Sequence, residues 1–275
     1  MSSLLAMIRK GKLLLPVSAD LEWKAIVRNG VLDAVKHTTI HVDINSVSDE
    51  AYGDRSKLIW GEIPCITPQY SEMWFEFHKW NNKLGVLAYR QDAPLGFHIN
   101  FLVFSELWGE AAIAAGIFIS ADSKGRYVSG AHMMLGHLGG LSEDEMTGPY
   151  GSLLVAANSA VFIACHAICR LHCKGVKLSQ RPEGKIRKRF TNKPAPACVW
   201  HTIDHTNAAQ IKHQFTGLNV FRDELKMREF RVRGHYADYR ETGLFGRESM
   251  RGLYWIPDHR RGNPDLGTVI PEYRV

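Results

Sequence analysis

Between Glu72 and Met133 apolar runs alternate with turn residues so regularly that this stretch is constrained to strands joined by tight turns. "MWFEFH" sets Met73, Phe75 and Phe77 on one side and Trp74, Glu76 and His78 on the other, the two-residue period of a strand. Asn81-Asn82 offers a turn into "LGVLAYR". "FHINFLVF" and "AAIAAGIFIS" continue the pattern, and "ADSKG" makes a hairpin into "RYVSGAHMM". Upstream, "TIHVDI" alternates Ile40, Val42 and Ile44 with Thr39, His41 and Asp43. Short strands with short connections imply an antiparallel sheet, not alternating parallel units.

From Gly151 to Lys174 the pattern changes to "GSLLVAANSAVFIACHAICRLHCK", rich in Ala, Leu, Ile and Cys and free of proline. This predicts a long buried helix that closes the sheet, with Gly175 as its stop signal. Asn158 and His166 lie inside its most apolar part, which favours a core helix over a membrane span. A cationic, proline-containing loop follows, and strands return at 228–236 and from Arg251. The expected fold class is therefore α+β. Residues 1–175 form an antiparallel sheet domain ending in the long helix, and 176–275 a basic, β-containing C-terminal module.

With 45% apolar residues, 7 Trp and 12 Phe, the chain can build a sizeable core. Its N-terminal "MSSLLAMIRKGKLLLP" lacks the ordered regions of a signal peptide. Five cysteines, three of them clustered, argue against a secreted disulfide framework and for a reducing, cytoplasmic setting.

The net charge of +6 is unevenly spread. Residues 1–169 hold 13 Lys and Arg against 17 Asp and Glu, a net of −4, while residues 170–275 hold 21 against 11, a net of +10. Cations concentrated in one part of a chain suggest a polyanionic partner, RNA or DNA, because neutralising phosphates releases counterions. No membrane signal accompanies the charge.

Two patterns with metal-ligating residue types are read as structural. In "CHAICRLHC", Cys165, Cys169 and Cys173 recur at helical spacing beside His172, but the ligand pairs of a structural zinc site are absent and core packing is favoured. In "HTIDHT", His201 and His205 flank Asp204, yet Thr202 stands where a metalloprotease needs glutamate. No Walker loop, GxGxxG or GxSxG occurs, and no metal or cofactor is expected.

The densest chemistry is "FRVRGHYADYR", residues 230–240. On a strand, Phe230 and Val232 turn inward while Arg231, Arg233 and His235 share the outer face. Arginine forks match phosphate oxygens, and the rings of Tyr236 and Tyr239 can stack on bases. "YWIPDHRRG" repeats the theme with Trp255, His259, Arg260, Arg261 and Gly262. The nucleic-acid-binding set is thus Arg231, Tyr236, Arg240, Trp255, Arg260 and Arg261, extended by Lys185, Arg187, Lys188 and Arg189 of the basic loop. A catalytic variant uses His235 and His259 as acid and base, with Arg233 and Tyr239 steadying the phosphate, for metal-independent RNA cleavage. The strands around 226–239 and 251–259 are expected to pair antiparallel through a connection containing Gly243, Gly246 and Gly252.

The order R-G-H-x-x-x-Y at Arg233, Gly234, His235 and Tyr239, then Trp255 and a closing Arg261-Gly262, resembles the C-terminal signature of a phage and mobile-element family. That family includes a type V-A anti-CRISPR protein, which lowers expression of the effector nuclease by acting on its messenger RNA during translation. The match covers about the last 45 residues, with Tyr236 where that member has tryptophan. The resemblance implies a mobile-element protein acting on RNA, and it carries over no catalytic residues. Two alternatives remain beside it. One is a protein- or ribosome-binding module that uses Trp74, Phe75, Phe77 and Trp80 as a surface. The other is a DNA-binding replication or transcription factor.

Overall fold

The computed structural model describes residues 3–14, 30–31, 33–35, 38, 40–45, 47, 60–79, 82–107, 109–133, 149–180, 200–204, 228–232, 234–256 and 259–268. The described chain is mostly β with few helices. It divides into two compact units, Met1–Leu171 with Leu178–Ile203 and His172–Lys177 with Asp204–Val275. The first crossing falls beside the boundary expected at residue 175, but the chain returns to the first unit before leaving it again.

The first unit is built on one large mixed sheet. Strands β3 (Glu72–Lys79), β4 (Asn82–Ala93), β5 (Gly96–Leu107), β6 (Glu110–Asp122) and β7 (Tyr127–Met133) form the antiparallel meander that the alternation predicts. The expectation of a purely antiparallel sheet is corrected at both flanks. There β1 (Leu13–Leu14) runs parallel to β6, and β2 (Ile40–Asp43) runs parallel to both β3 and β9 (Trp200–Asp204). β8 (Lys177–Gln180) completes the order β1-β6-β5-β4-β3-β2-β9-β8. Parallel neighbours need long connections, so they join strands remote in sequence and leave no local turn signal.

Both faces of β3 are buried where the sequence suggests one. Met73, Phe75 and Phe77 lie in the core, and so do Trp74 and Glu76 on the other side. Trp74, Leu87 and Phe104 pack in a cluster with Leu4, Leu5 and Ile8 of helix α1 (Leu4–Arg9). Gly85 stands opposite Glu76 and makes room for this docking, because a Cβ there would come within 2.5 Å of the Trp74 ring.

Helix α2 (Pro149–Leu171) packs on β4, β5 and β6. Phe162 of α2 meets Trp60 edge-on, and Trp60 in turn stacks on Tyr127 of β7. Every residue from Ser159 to Leu171 is buried, including His166 and Arg170. The helix ends before the expected Lys174, since Cys173 bridges to Leu253 and the Lys174 N–H donates to the Leu253 carbonyl at 2.8 Å. Among the described residues no helix is long and apolar enough to cross a membrane.

Candidate nucleic-acid interface

The second unit is organised around one interrupted antiparallel ribbon. β10 (Arg228–Val232) pairs with β13 (His259–Arg261), and β11 (His235–Asp238) pairs with β12 (Leu253–Ile256). The register Val232↔His259 resumes unchanged at His235↔Ile256, and Tyr239 and Gly252 then exchange both backbone hydrogen bonds. The two basic motifs are therefore cross-strand neighbours. β14 (Asn263–Thr268) joins β10 on its other side. In the connection, Gly243 takes φ +71°, and a Cβ there would collide with the Arg247 carbonyl, which is why glycine is required.

The register brings the cations together. Arg231 stands opposite Arg260, Phe230 opposite Arg261 and Val232 opposite His259, on three successive rungs. Cβ atoms directly opposite one another are roughly 5 Å apart, and like charges so placed destabilise a sheet. Arg260 is exposed. The side chains of Arg231, His259 and Arg261 lie outside the described residues, as do Arg233, Lys185, Arg187, Lys188 and Arg189 in full.

The two histidines are not cross-strand partners. His235 is exposed opposite Ile256, whereas His259 lies three positions further along that strand, roughly 10 Å of extended backbone. Tyr239 is half-buried, its ring 6.0 Å from that of Tyr254. Tyr254 is itself buried and donates its hydroxyl to the Met250 carbonyl at 2.9 Å.

Two of the expected RNA-contacting residues have partners within this unit. Trp255 keeps only 8% of its surface exposed and packs edge-on against Tyr236 at 4.8 Å, so it belongs to the core of this unit and not to a base-stacking surface. Arg240 is already engaged by Asp238 through two bonds, Nη2–Oδ2 at 2.6 Å and Nε–Oδ1 at 2.9 Å. That ion pair occupies two of the five guanidinium donors and partly neutralises the charge a phosphate would meet.

The remaining candidates resolve as structure. Trp74, Phe75 and Phe77 are fully buried and cannot form an interaction surface, and Trp80 lies outside the described residues. Cys165, Cys169 and Cys173 are buried, and burial pushes the Cys165 thiol far up, disfavouring the thiolate a metal needs. Among the described residues no group of three or more His, Cys, Asp or Glu is placed to hold a metal ion. His201 is half-buried on strand β9, while His205 lies outside the described residues.

Sequence reasoning missed Glu76. It reads as the solvent side of a strand, yet it is buried and accepts the N–H groups of Leu4 at 3.2 Å and Leu5 at 3.5 Å and the Trp74 indole at 3.2 Å. The only sequence signal was "SLLAMIR", a helix start with no acid of its own in the first turn. No protein-family model, no curated protein and no solved structure matches the chain.

Proposed function

We propose that the chain is an RNA-directed regulator of a phage or mobile element, acting in the cytoplasm on messenger RNA during translation. The observation that carries this reading is the Arg231↔Arg260 pair with Arg261 on the adjacent rung. Arginines at directly opposite strand positions concentrate positive charge on the ribbon, and a phosphate backbone lying along it would bind with release of counterions. The concentration of +10 in residues 170–275 supports the same partner. The resemblance of Arg233–Gly262 to the anti-CRISPR-containing family supplies the biological setting. In this reading the first unit is a scaffold, with its sheet closed by α2, and the second unit grips RNA.

Binding without cleavage is the chemistry favoured, because His235 faces Ile256 and not His259 across the ribbon. The test is fluorescence anisotropy with single-stranded RNA across a salt series. Affinity should fall steeply with salt, and the slope should flatten by about one for each phosphate-contacting arginine replaced. Neutralising Arg231, Arg233, Arg260 and Arg261 together should abolish most binding. Binding indifferent to both salt and those substitutions rejects the reading. End-labelled RNA incubated in EDTA should remain full-length, and cleavage that disappears in His235→Ala would restore the two-histidine mechanism.

A further inference from the structure

One face of the large sheet changes character along its strands. Nearest α1, Trp74, Leu87 and Phe104 are buried in the cluster that contains Leu4, Leu5 and Ile8. Beyond Leu87 the register aligns Glu72, Tyr89, Asn100 and Phe118 across β3, β4, β5 and β6. The next rung aligns Gln91, His98, Ser120 and Ser129 across β4 to β7. Tyr89 leaves 37% of its surface exposed, Gln91 and Ser129 are exposed, and His98, Asn100, Phe118 and Ser120 are half-buried. No Lys or Arg stands on either rung, and Glu72 is the one acid there. The two rungs thus present a largely uncharged aromatic and amide surface in place of the flexible charged side chains common on a solvated face.

The groups are also fixed in place. Ser120 Oγ lies 3.1 Å from His98 Nδ1, in a bond that takes no part of Nε2, and the His98 ring sits 4.5 Å from that of Phe118. Asn100 lies between Tyr89 and Phe118, one strand spacing, about 4.8 Å, from each. Flat rings on alternate strands with an amide on the strand between them suit planar ligands that offer a π-face and a hydrogen-bonding edge. A face with no Lys or Arg does not select phosphate.

We propose that this face is a base-stacking platform for single-stranded RNA, in which Tyr89 and Phe118 each carry a base and Asn100 reads a base edge. It rests on the RNA reading of the arginine ribbon and assigns a separate surface on the other unit. Only unpaired bases can lie flat on such a sheet, so duplex RNA is excluded from it.

The test uses the full chain, a short oligouridylate as the RNA probe and heparin as a polyanion without bases. Tyr89→Ala with Asn100→Ala should weaken oligouridylate binding about tenfold while leaving the salt slope and heparin binding unchanged. Tyr89→Phe, which keeps the ring, should bind like wild type. If the wild type binds oligouridylate and the double variant binds it equally well, the platform is wrong and the ribbon reading stands. If the wild type binds neither probe, the ribbon reading fails and the platform falls with it. Crosslinking wild-type protein to a 4-thiouridine oligonucleotide gives a check independent of variant folding. Adducts should map to peptides within 82–122, and adducts confined to 228–268 would overturn the platform.

Discussion

Glu76 Oε1 accepts the backbone N–H of Leu4 at 3.2 Å, a helix cap supplied from 72 residues downstream. Replacing the carboxylate by Glu76→Ala strands the Leu4, Leu5 and Trp74 donors in a buried site and should cost about 2 kcal/mol or more. The site also carries a pH signature. Burial holds the Glu76 carboxyl above its ordinary value of 4.5, against the opposing pull of the Trp74, Leu4 and Leu5 hydrogen bonds and the Lys83 charge. A raised folded-state value means a contribution to stability that is fully present below pH 4.5 and is lost as pH rises through the folded-state value. Urea midpoints measured across pH should show this loss in the wild type and not in Glu76→Gln. Parallel profiles for the two proteins would exclude it.

Gly85 tests the same docking from the sheet side. In Gly85→Ala the new methyl meets Trp74 ring carbons at 2.5 and 2.8 Å and Leu4 Cδ1 at 3.3 Å. Such overpacking should cost about 1–3 kcal/mol. Tm should fall accordingly, and limited proteolysis should cut first near α1. An unchanged Tm would mean that Trp74 can move aside.

For the ribbon, binding is expected to change while stability does not. Arg231→Gln with Arg260→Gln removes two cations from opposite positions of β10 and β13, and stability should stay within about 1 kcal/mol of wild type. RNA affinity should drop in the same variant. Thermal melts and anisotropy on one preparation separate the outcomes. Loss of stability together with affinity would point to a structural role for the pair.

The cysteines offer a check on the core. The thiols of Cys65, Cys165, Cys169 and Cys173 are all buried, and a thiol reagent attacks the thiolate. In native protein these four should stay unmodified by a thiol-reactive disulfide at mildly alkaline pH and react fully once urea unfolds the chain. Rapid native reaction of Cys165 or Cys169 would show that α2 opens readily.

Much of this fold was written locally. The β3–β7 meander followed from alternation and turn residues, and the helix expected over 151–174 from a proline-free run rich in Ala, Leu, Ile and Cys is α2, Pro149–Leu171. The antiparallel pairing expected between 226–239 and 251–259 is seen as β10 with β13 and β11 with β12. Each of these depends on neighbours within a few residues, which periodicity can report. Periodicity also sorts the side chains of β3 into two sets, but it cannot say what lies over each set. Tertiary contact decided that Trp74 and Glu76 lie beneath α1, that Trp255 packs against Tyr236 and that Asp238 holds Arg240. It also placed Arg231 opposite Arg260 and set His259 away from His235, because strand register fixes which partner each residue meets. Burial and register depend on segments far apart in the chain, and a single sequence carries no local trace of which remote segment will arrive.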